Sequence, residues 1–545
     1  MSPLRLIRSP KSKIRNLMKR RDFIQYASSS FFLPFMLDGF TAKAHTQATT
    51  PFMQAMMEVA DTNDNILVVI QLAGGNDGLN MVIPLDQYAT YSSASFRGNI
   101  ALTESKILKL KNTPETGLHP SMTGLQTLFD EGKLSIVHSA GYPAPSFSHF
   151  RASDIWFTAV DSDKLSTSGW LGRYVTDRYP GYPDSYPSTA NPDPLAIQIS
   201  SISATVFNTA SITSAIAIQD PDAFARIVGD KPNITPGVLP DTAGGKYTAF
   251  IRQQQTSSFA YAGQLKNAAA KGKNFATYPT NNSLADQLKI VSRLIHGGLQ
   301  TKVYYVTLGG FDTHADQVSA TDNNVGNHAT LMQRVSEGIK SFMDDLKAQG
   351  IQDKVVGMTF SEFGRRPFSN GTKGTDHGWA SPLFVFGNAV KTQIIGKNPD
   401  LKSLKVNDNI PLQNDFRTVY AAVLKDWMGA SEASVKSILL DKTFMPADIF
   451  KDTKVLANEV EAPLADLNIF PNPAQIETII QSEAFAKNNV DFSVTDVYGR
   501  TFNTNPTRKS RTEMLLNVTN MPSGKYFVKI DTGAEPMVKA LIVAR

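Results

Sequence analysis

The 545-residue chain contains no cysteine. That excludes disulfides, thiolate zinc sites, a cysteine nucleophile and lipid attachment at a cysteine. It also lacks any run near the ~20 apolar residues that a helical membrane span needs, so no integral span is expected in the mature chain. Acidic residues are missing from the first 21 positions, which carry Arg5, Arg8, Lys11, Lys13, Arg15, Lys19, Arg20 and Arg21. Net charge is +5, so the rest of the chain stands at −3 once that basic segment (+8) is set aside. The basic balance belongs to the leader and argues for no nucleic-acid partner. Apolar (41%) and charged (19%) fractions are those of an ordinary globular protein, and the length suits several structural units.

The leader reads as an export signal. Arg20-Arg21-Asp22-Phe23-Ile24 has the form of a twin-arginine motif. A moderately apolar stretch including residues 31–37 follows, and Ala42-Lys43-Ala44 supplies small residues for cleavage before His45. The competing reading is a basic amphipathic arm. Residues 45–63 are a polar linker.

Continuous apolar runs at 66–72, 134–138, 303–308, 355–360 and 383–387 read as strands buried on both faces. Helical patterns occupy 246–270, 282–297 and 328–348, the last with Leu331, Val335, Ile339, Phe342 and Leu346 on one face. Alternating strands and helices predict an α/β fold with a mainly parallel sheet flanked by helices. Residues 160–195, rich in Ser, Pro, Asp and Tyr, read as loop insertions. Beyond Pro463 the pattern changes to six or seven short alternating runs, which predict a small C-terminal β-sandwich. The expected division is leader 1–44, linker 45–63, α/β domain 64–452, linker 453–466 and sandwich 467–545.

Three segments follow predicted strands and gather metal-ligand chemistry. They are Gly74-Gly75-Asn76-Asp77-Gly78, Gly309-Gly310-Phe311-Asp312-Thr313-His314, and Thr375-Asp376-His377-Gly378 after Ser361-Glu362-Phe363-Gly364-Arg365. Asp312 and His314 are two apart, so on an extended backbone both point to one side. Asp376 and His377 are adjacent and diverge in a loop, enough to serve two metals. Loops at the carboxyl ends of strands in an open α/β sheet are where ligands bind.

A fourth segment, Ser146-Phe147-Ser148-His149-Phe150-Arg151, follows the second strand and opens a helix over 150–157. A serine there faces helix amides and the positive end of the dipole. Ser148 and Ser146 are both nucleophile candidates, with Ser148 preferred; the plainer role for one of them is the helix N-cap. His149 is open between ligand, general acid and packing. Glu362 either orients a ligand or pairs with Arg365 or Arg366. Arg365 either grips an anionic oxygen or makes a surface salt bridge. His138 reads as a core histidine, His296 as a helix C-terminal residue, and Trp170 as core.

These motifs carry a resemblance. With Leu118-His119-Pro120 and Ser168-Gly169-Trp170-Leu171-Gly172-Arg173, they make residues 66–450 resemble the domain of unknown function 1501 family, which is placed in the alkaline phosphatase and sulfatase superfamily. Residues 467–545 resemble the C-terminal sorting domain of type IX secretion substrates, on Phe470-Pro471-Asn472-Pro473, Val497-Tyr498-Gly499-Arg500 and 522–527, with a basic end at Lys539 and Arg545.

The resemblance implies an alkaline-phosphatase-like α/β core. It implies one or two divalent cations (zinc, manganese or calcium) held by Asp77, Asp312, His314, Asp376 and His377, with Ser148, Ser146 and His149 as catalytic candidates. The implied activity is hydrolysis of phosphate or sulfate esters by an exported protein delivered to the cell surface. Implied partners are an anionic ester substrate or surface glycan, and the export and type IX secretion machinery. Two features depart from the superfamily pattern. No histidine follows His377, where His328 or His119 would have to substitute, and the Asp-x-His spacing at 312–314 is shorter than the usual Asp-x-x-x-His. The alternative is a catalytically inactive surface protein binding a glycan, an envelope polymer or a protein partner.

Overall fold

The computed structural model describes residues 63–451 and 467–544, less 180, 183–185, 190, 210–212, 222–223, 225–239, 241, 487–490, 497–499, 503, 505 and 532–536. The leader, most of both linkers and Val497-Tyr498-Gly499 of the sorting-domain motif lie outside the described residues.

Nine strands form the central sheet: β1 (Ile66–Ala73), β2 (Leu134–Gly141), β3 (Ala196–Ile199), β4 (Ile216–Ile218), β5 (Val303–Gly309), β6 (Val355–Phe360), β7 (Ser381–Phe386), β8 (Gln393–Ile395) and β9 (Asn414–Asp415). Their order is β8-β2-β7-β6-β1-β5-β3-β4, with β9 also pairing β2. Every pairing is parallel except those of β7 with β2 and β6. The sheet is therefore mainly parallel, as the uninterrupted apolar runs require.

Alternation along β1 shows why those runs are apolar throughout. Val68, Ile70 and Leu72 enter one core, while Leu67 and Val69 enter the other. The first core is closed by α1 (Thr123–Asp130), α4 (Ala243–Lys271), α5 (Ser283–His296) and α6 (Asn327–Ala348), and the second by α2 (His149–Thr158), α3 (Trp170–Arg178) and α7 (Phe416–Ala422). The helical patterns at 246–270, 282–297 and 328–348 correspond to α4, α5 and α6. Asn282 starts α5 by accepting from Ala285 N at 3.1 Å.

One expectation needs correction. Residues 160–195 are not only loop: α3 lies within them and buries Trp170, Leu171, Tyr174 and Val175. Pro, Ser and Asp on either side mask a helix whose apolar face is only nine residues long. Trp170 is core, stacked on Tyr420 at 4.2 Å.

Eight strands of the C-terminal part, β10 to β17, run from Asn468–Phe470 to Met537–Val543 and form two four-stranded antiparallel sheets. They share a core of their own, including Ile480, Val494, Leu516, Val528 and Leu541. Among the described residues no helix is long and apolar enough to cross a membrane.

Register decides where the motif loops meet. Ala73 pairs Gly309, and Gln71 pairs Phe360, so β1, β5 and β6 end together. β7 runs the other way, so the 374–380 segment before it arrives at the same edge. β2 ends there too and feeds α2.

Candidate metal centre

Glycine lets the first two loops touch. Gly74 has φ +128°, and a Cβ there would stand 2.4 Å from Asp312 N. Arg365 then ties the edge together. Its Nε donates to Gly75 O (2.6 Å), Nη1 to Thr375 O (2.8 Å), and Nη2 to Gly74 O (2.5 Å), Phe311 O (3.1 Å) and Asp312 Oδ1 (2.7 Å). This guanidinium is fully buried, so neither the surface salt bridge nor a substrate clamp describes it.

His149, Asp312 and His377 converge. Each offers a ligand atom, and these atoms lie within 4.8 Å of one another. His149 Nε2 is 3.5 Å from Asp312 Oδ2, and His377 Nε2 is 3.2 Å from Asp312 Oδ1. His314 joins at the edge, with Nε2 3.1 Å from Asp312 Oδ1 and 2.9 Å from His377 Nε2. The 311–314 segment is not extended: Thr313 N–H donates to Phe311 O and His314 N–H to Asp312 O, yet Asp312 and His314 still meet. Asp376 and His377 diverge. Asp376 Oδ1 sits 3.5 Å from His314 Nδ1 and accepts from Asn370 Nδ2 at 3.3 Å.

Each central imidazole is oriented from behind. His377 Nδ1–H donates to Phe147 O at 2.8 Å. His149 Nδ1–H donates to Glu362 Oε1 at 2.9 Å, which also accepts from Gly74 N–H at 2.8 Å. Glu362 is 2% exposed, and its Oε2 has no hydrogen-bond partner among the described residues. It pairs with neither Arg365 nor Arg366; it holds His149 instead.

Charge states follow from these contacts. Burial pushes the His377 imidazolium down, against the bonds to Phe147 O and Asp312. The bond to Glu362 pushes His149 up, against burial. Burial opposes ionisation of Asp312, but the hydrogen bond from Arg365, with that of His377 when its ring is protonated, outweighs it and holds the carboxyl at about 2. A neutral His377 thus turns the Nε2 lone pair on a carboxylate oxygen 3.2 Å away. Two acceptors at that distance repel unless positive charge lies between them.

Asp77 is not brought to this cluster. It is buried, ion-paired with the fully buried Arg97, and accepts from Gln317 Nε2 at 2.5 Å. Gln317 Oε1 in turn accepts from Thr313 Oγ1 (3.0 Å) and Thr375 Oγ1 (3.1 Å). Asp77 therefore braces the two loops that carry Asp312 and His377. His119 and His328 are also elsewhere, as a buried pair with ring centroids 6.0 Å apart. His328 Nε2–H donates to Asn76 Oδ1 at 3.1 Å, and burial pushes His119 to about 3 and His328 to about 4.

Ser148 is the residue before α2 and caps it with no side-chain bond. Ser146 Oγ accepts from Ser148 N–H at 3.3 Å. Among the described residues neither hydroxyl bonds to His149, Asp312 or His377. His138 is a core histidine whose Nε2 lacks a partner among the described residues. His296 Nδ1 accepts from Lys273 N–H at 3.2 Å instead of serving its own helix end. The motifs hid one feature, an open cleft of about 580 Å³ beside the cluster, lined by Gln71, His149, Phe150, Phe157, Asp312 and Glu362 among others. Its only sequence signal was aromatic residues on both sides of His149.

Residues 248–429 match the family model described as protein of unknown function (DUF1501), and residues 468–544 match the one described as secretion system C-terminal sorting domain. The sorting domain indicates export towards the cell surface. The solved structures it resembles include the lipoteichoic acid synthase of Listeria monocytogenes (9% identity, TM-score 0.26, covering 65% of this chain and 75% of that one). A protein of the alkaline phosphatase superfamily from Vibrio parahaemolyticus matches at 11% identity and TM-score 0.28, covering 62% and 63%. A Bacteroides thetaiotaomicron structure titled for metabolism of multiple glycosaminoglycans matches at 11% and 0.33, covering 84% and 90%. At these values the likenesses bear on no residue's role. Comparison with curated proteins found no match.

Proposed function

We propose that this is an exported hydrolase of phosphate or sulfate esters that depends on a divalent cation. The carrying observation is the arrangement of His377 and His149 around Asp312. Both rings have Nδ1–H engaged by an acceptor and Nε2 aimed at one ionised carboxylate. Glu362, buried behind His149 with Oε2 unbonded among the described residues, is a carboxyl group that favours positive charge in front of it.

His149, Asp312 and His377 would hold the ion. Two imidazoles and a carboxylate suit zinc or manganese, and three protein ligands leave a coordination position open. His314 and Asp376 stand ready at its edge as further donors. Bound, the cation supplies Lewis-acid stabilisation of charge on the ester's oxygens. Glu362 and Phe147 O fix the tautomers. Ser148, at the amino end of α2 with its hydroxyl uncommitted, is the preferred nucleophile, with Ser146 the alternative. Attack by the serine oxygen would form an O–P or O–S bond and break the one to the ester's alcohol, which leaves with the proton the serine gives up; water then cleaves the serine ester and restores the hydroxyl.

The test is metal content of the full chain and of His377→Ala, with turnover of aryl phosphates and sulfates measured on both. One or more equivalents of metal, lost together with turnover in the variant, is the expected result. Metal-free, inactive wild type defeats the reading. A second reading, a cation-dependent binding protein without turnover, is favoured by one observation: neither serine bonds to the cluster. Retained metal without turnover of any ester would select it.

A further inference from the structure

The cleft beside the cluster has a composition of its own. Phe150 forms part of its wall and is 89% exposed, although it sits in the first turn of α2 next to His149. Phe157, two turns on, lines the same wall and is anchored against Tyr305 and Phe360. An aromatic ring left this open beside a polar centre is unfavourable unless something covers it.

Three polar side chains of the cleft, Gln71, Ser153 and Thr205, are neutral. Gln71 Oε1 accepts from the buried Tyr305 hydroxyl at 2.8 Å, which leaves the Gln71 amide N–H groups without a partner among the described residues. The hydroxyls of Ser153 and Thr205, also in the cleft, have no hydrogen bond there either. The lining contains no lysine or arginine, and its ionisable members besides His149 are carboxylates: Asp154, Asp312 and Glu362. Asp154 is paired with Arg151.

We infer that this cleft is a subsite for a neutral, hydroxyl-bearing ring, so that the alcohol part of the ester is a sugar. The inference rests on the ester-hydrolase reading for the reaction but not for the binding. An apolar alcohol would cover Phe150 and strand the Gln71 amide and two hydroxyls. A polyanionic alcohol would meet carboxylates and, beyond the proposed ion that takes the ester group, no lysine or arginine to balance its further charges. A sugar ring presents a C–H face for Phe150 and hydroxyls that both donate and accept, which satisfies an amide donor and two hydroxyls together.

The experiment is saturation-transfer NMR on the full chain with four neutral trisaccharides: maltotriose, cellotriose, laminaritriose and triacetylchitotriose. Octanol serves as the apolar comparison. Transfer to ring protons of at least one sugar is expected, with affinity weakened about three- to tenfold in Phe150→Ala. Phe150 is exposed, so that variant folds. Gln71→Ala is expected to weaken binding as well. No transfer from natively folded protein to any sugar overturns the inference, as does binding unchanged in Phe150→Ala or transfer to octanol alone. Turnover of glucose sulfate and phosphate, compared with nitrophenyl sulfate and phosphate, separates the two readings. Sugar binding without turnover of any ester leaves the subsite standing and removes the hydrolase. Nitrophenyl turnover without sugar recognition does the reverse.

Discussion

His314 Nε2 and His377 Nε2 stand 2.9 Å apart, with Asp312 Oδ1 at 3.1 and 3.2 Å from them. His377 Nδ1–H is committed to Phe147 O, so its Nε2 brings a lone pair to this meeting. Three polar atoms from two separate loops are thus crowded where positive charge relieves them. His149 adds a fourth from the opposite side, braced by Glu362.

Asp312 and Asp77 are expected to separate binding from folding. Asp312 is half exposed and Asp312→Asn keeps an oxygen that can accept from Arg365, so it should destabilise less than Asp77→Ala while abolishing stoichiometric metal. Asp77→Ala leaves the buried Arg97 without its carboxylate and should cost about 3–5 kcal/mol. Urea unfolding paired with elemental analysis reads both. Equal destabilisation of the two would show that Asp77 does not brace the loops.

Glu362→Gln removes the acceptor that fixes His149 but keeps the side-chain shape. Metal affinity should fall about 10- to 100-fold with the far-ultraviolet circular dichroism unchanged, in a titration against a chromophoric chelator. An unchanged affinity would make Glu362 a packing residue only.

Gly74→Ala places a methyl 2.4 Å from Asp312 N at a φ of +128°. The β1 and β5 loops must part, so both metal affinity and stability should drop, the latter by about 1–3 kcal/mol. Gly350→Ala is the control: its φ is +73°, but no atom lies within 4 Å of the new methyl. It should show backbone strain in the unfolding curve and leave metal binding alone.

Acid lability should come from three histidines outside the cluster. Burial holds His119 at about 3, and His138 and His328 at about 4. All three lie below the unfolded value of about 6.5, so the unfolded chain takes up protons that the folded chain refuses. Stability is complete above about pH 6.5 and is lost as pH falls towards 4. The slope should approach roughly 1.4 kcal/mol per pH unit for each histidine. Urea midpoints of metal-free protein from pH 7 to 4.5 measure it, and a flat profile would contradict it.

The strands and long helices were legible because their signals are local. An uninterrupted run such as 66–72 can only be buried on both faces, and β1 feeds two cores. α3 was illegible because its nine residues sit among turn formers. Within the site, Asp376 and His377 are neighbours in the chain, and their side chains reach different partners. Glu362 reads either as a residue that orients a ligand or as a partner of Arg365 or Arg366, and in the structure it orients His149.

What the sequence determined by itself was the mainly parallel sheet, the sorting-type β module and the strand ends at which carboxylates and imidazoles gather, since periodicity and motif order are properties of neighbouring residues. Only the tertiary structure decided which carboxylate faces the cleft. Asp77 and Asp312 read alike, each after a Gly-Gly at a strand end. Asp77 turns inward because Arg97, 20 residues on, and Gln317, 240 residues on, are folded against it. Asp312 stays at the surface because Arg365, 53 residues away, grips it from behind and leaves its other oxygen to His149. A buried charge goes where its partner is, and the fold alone brings that partner near.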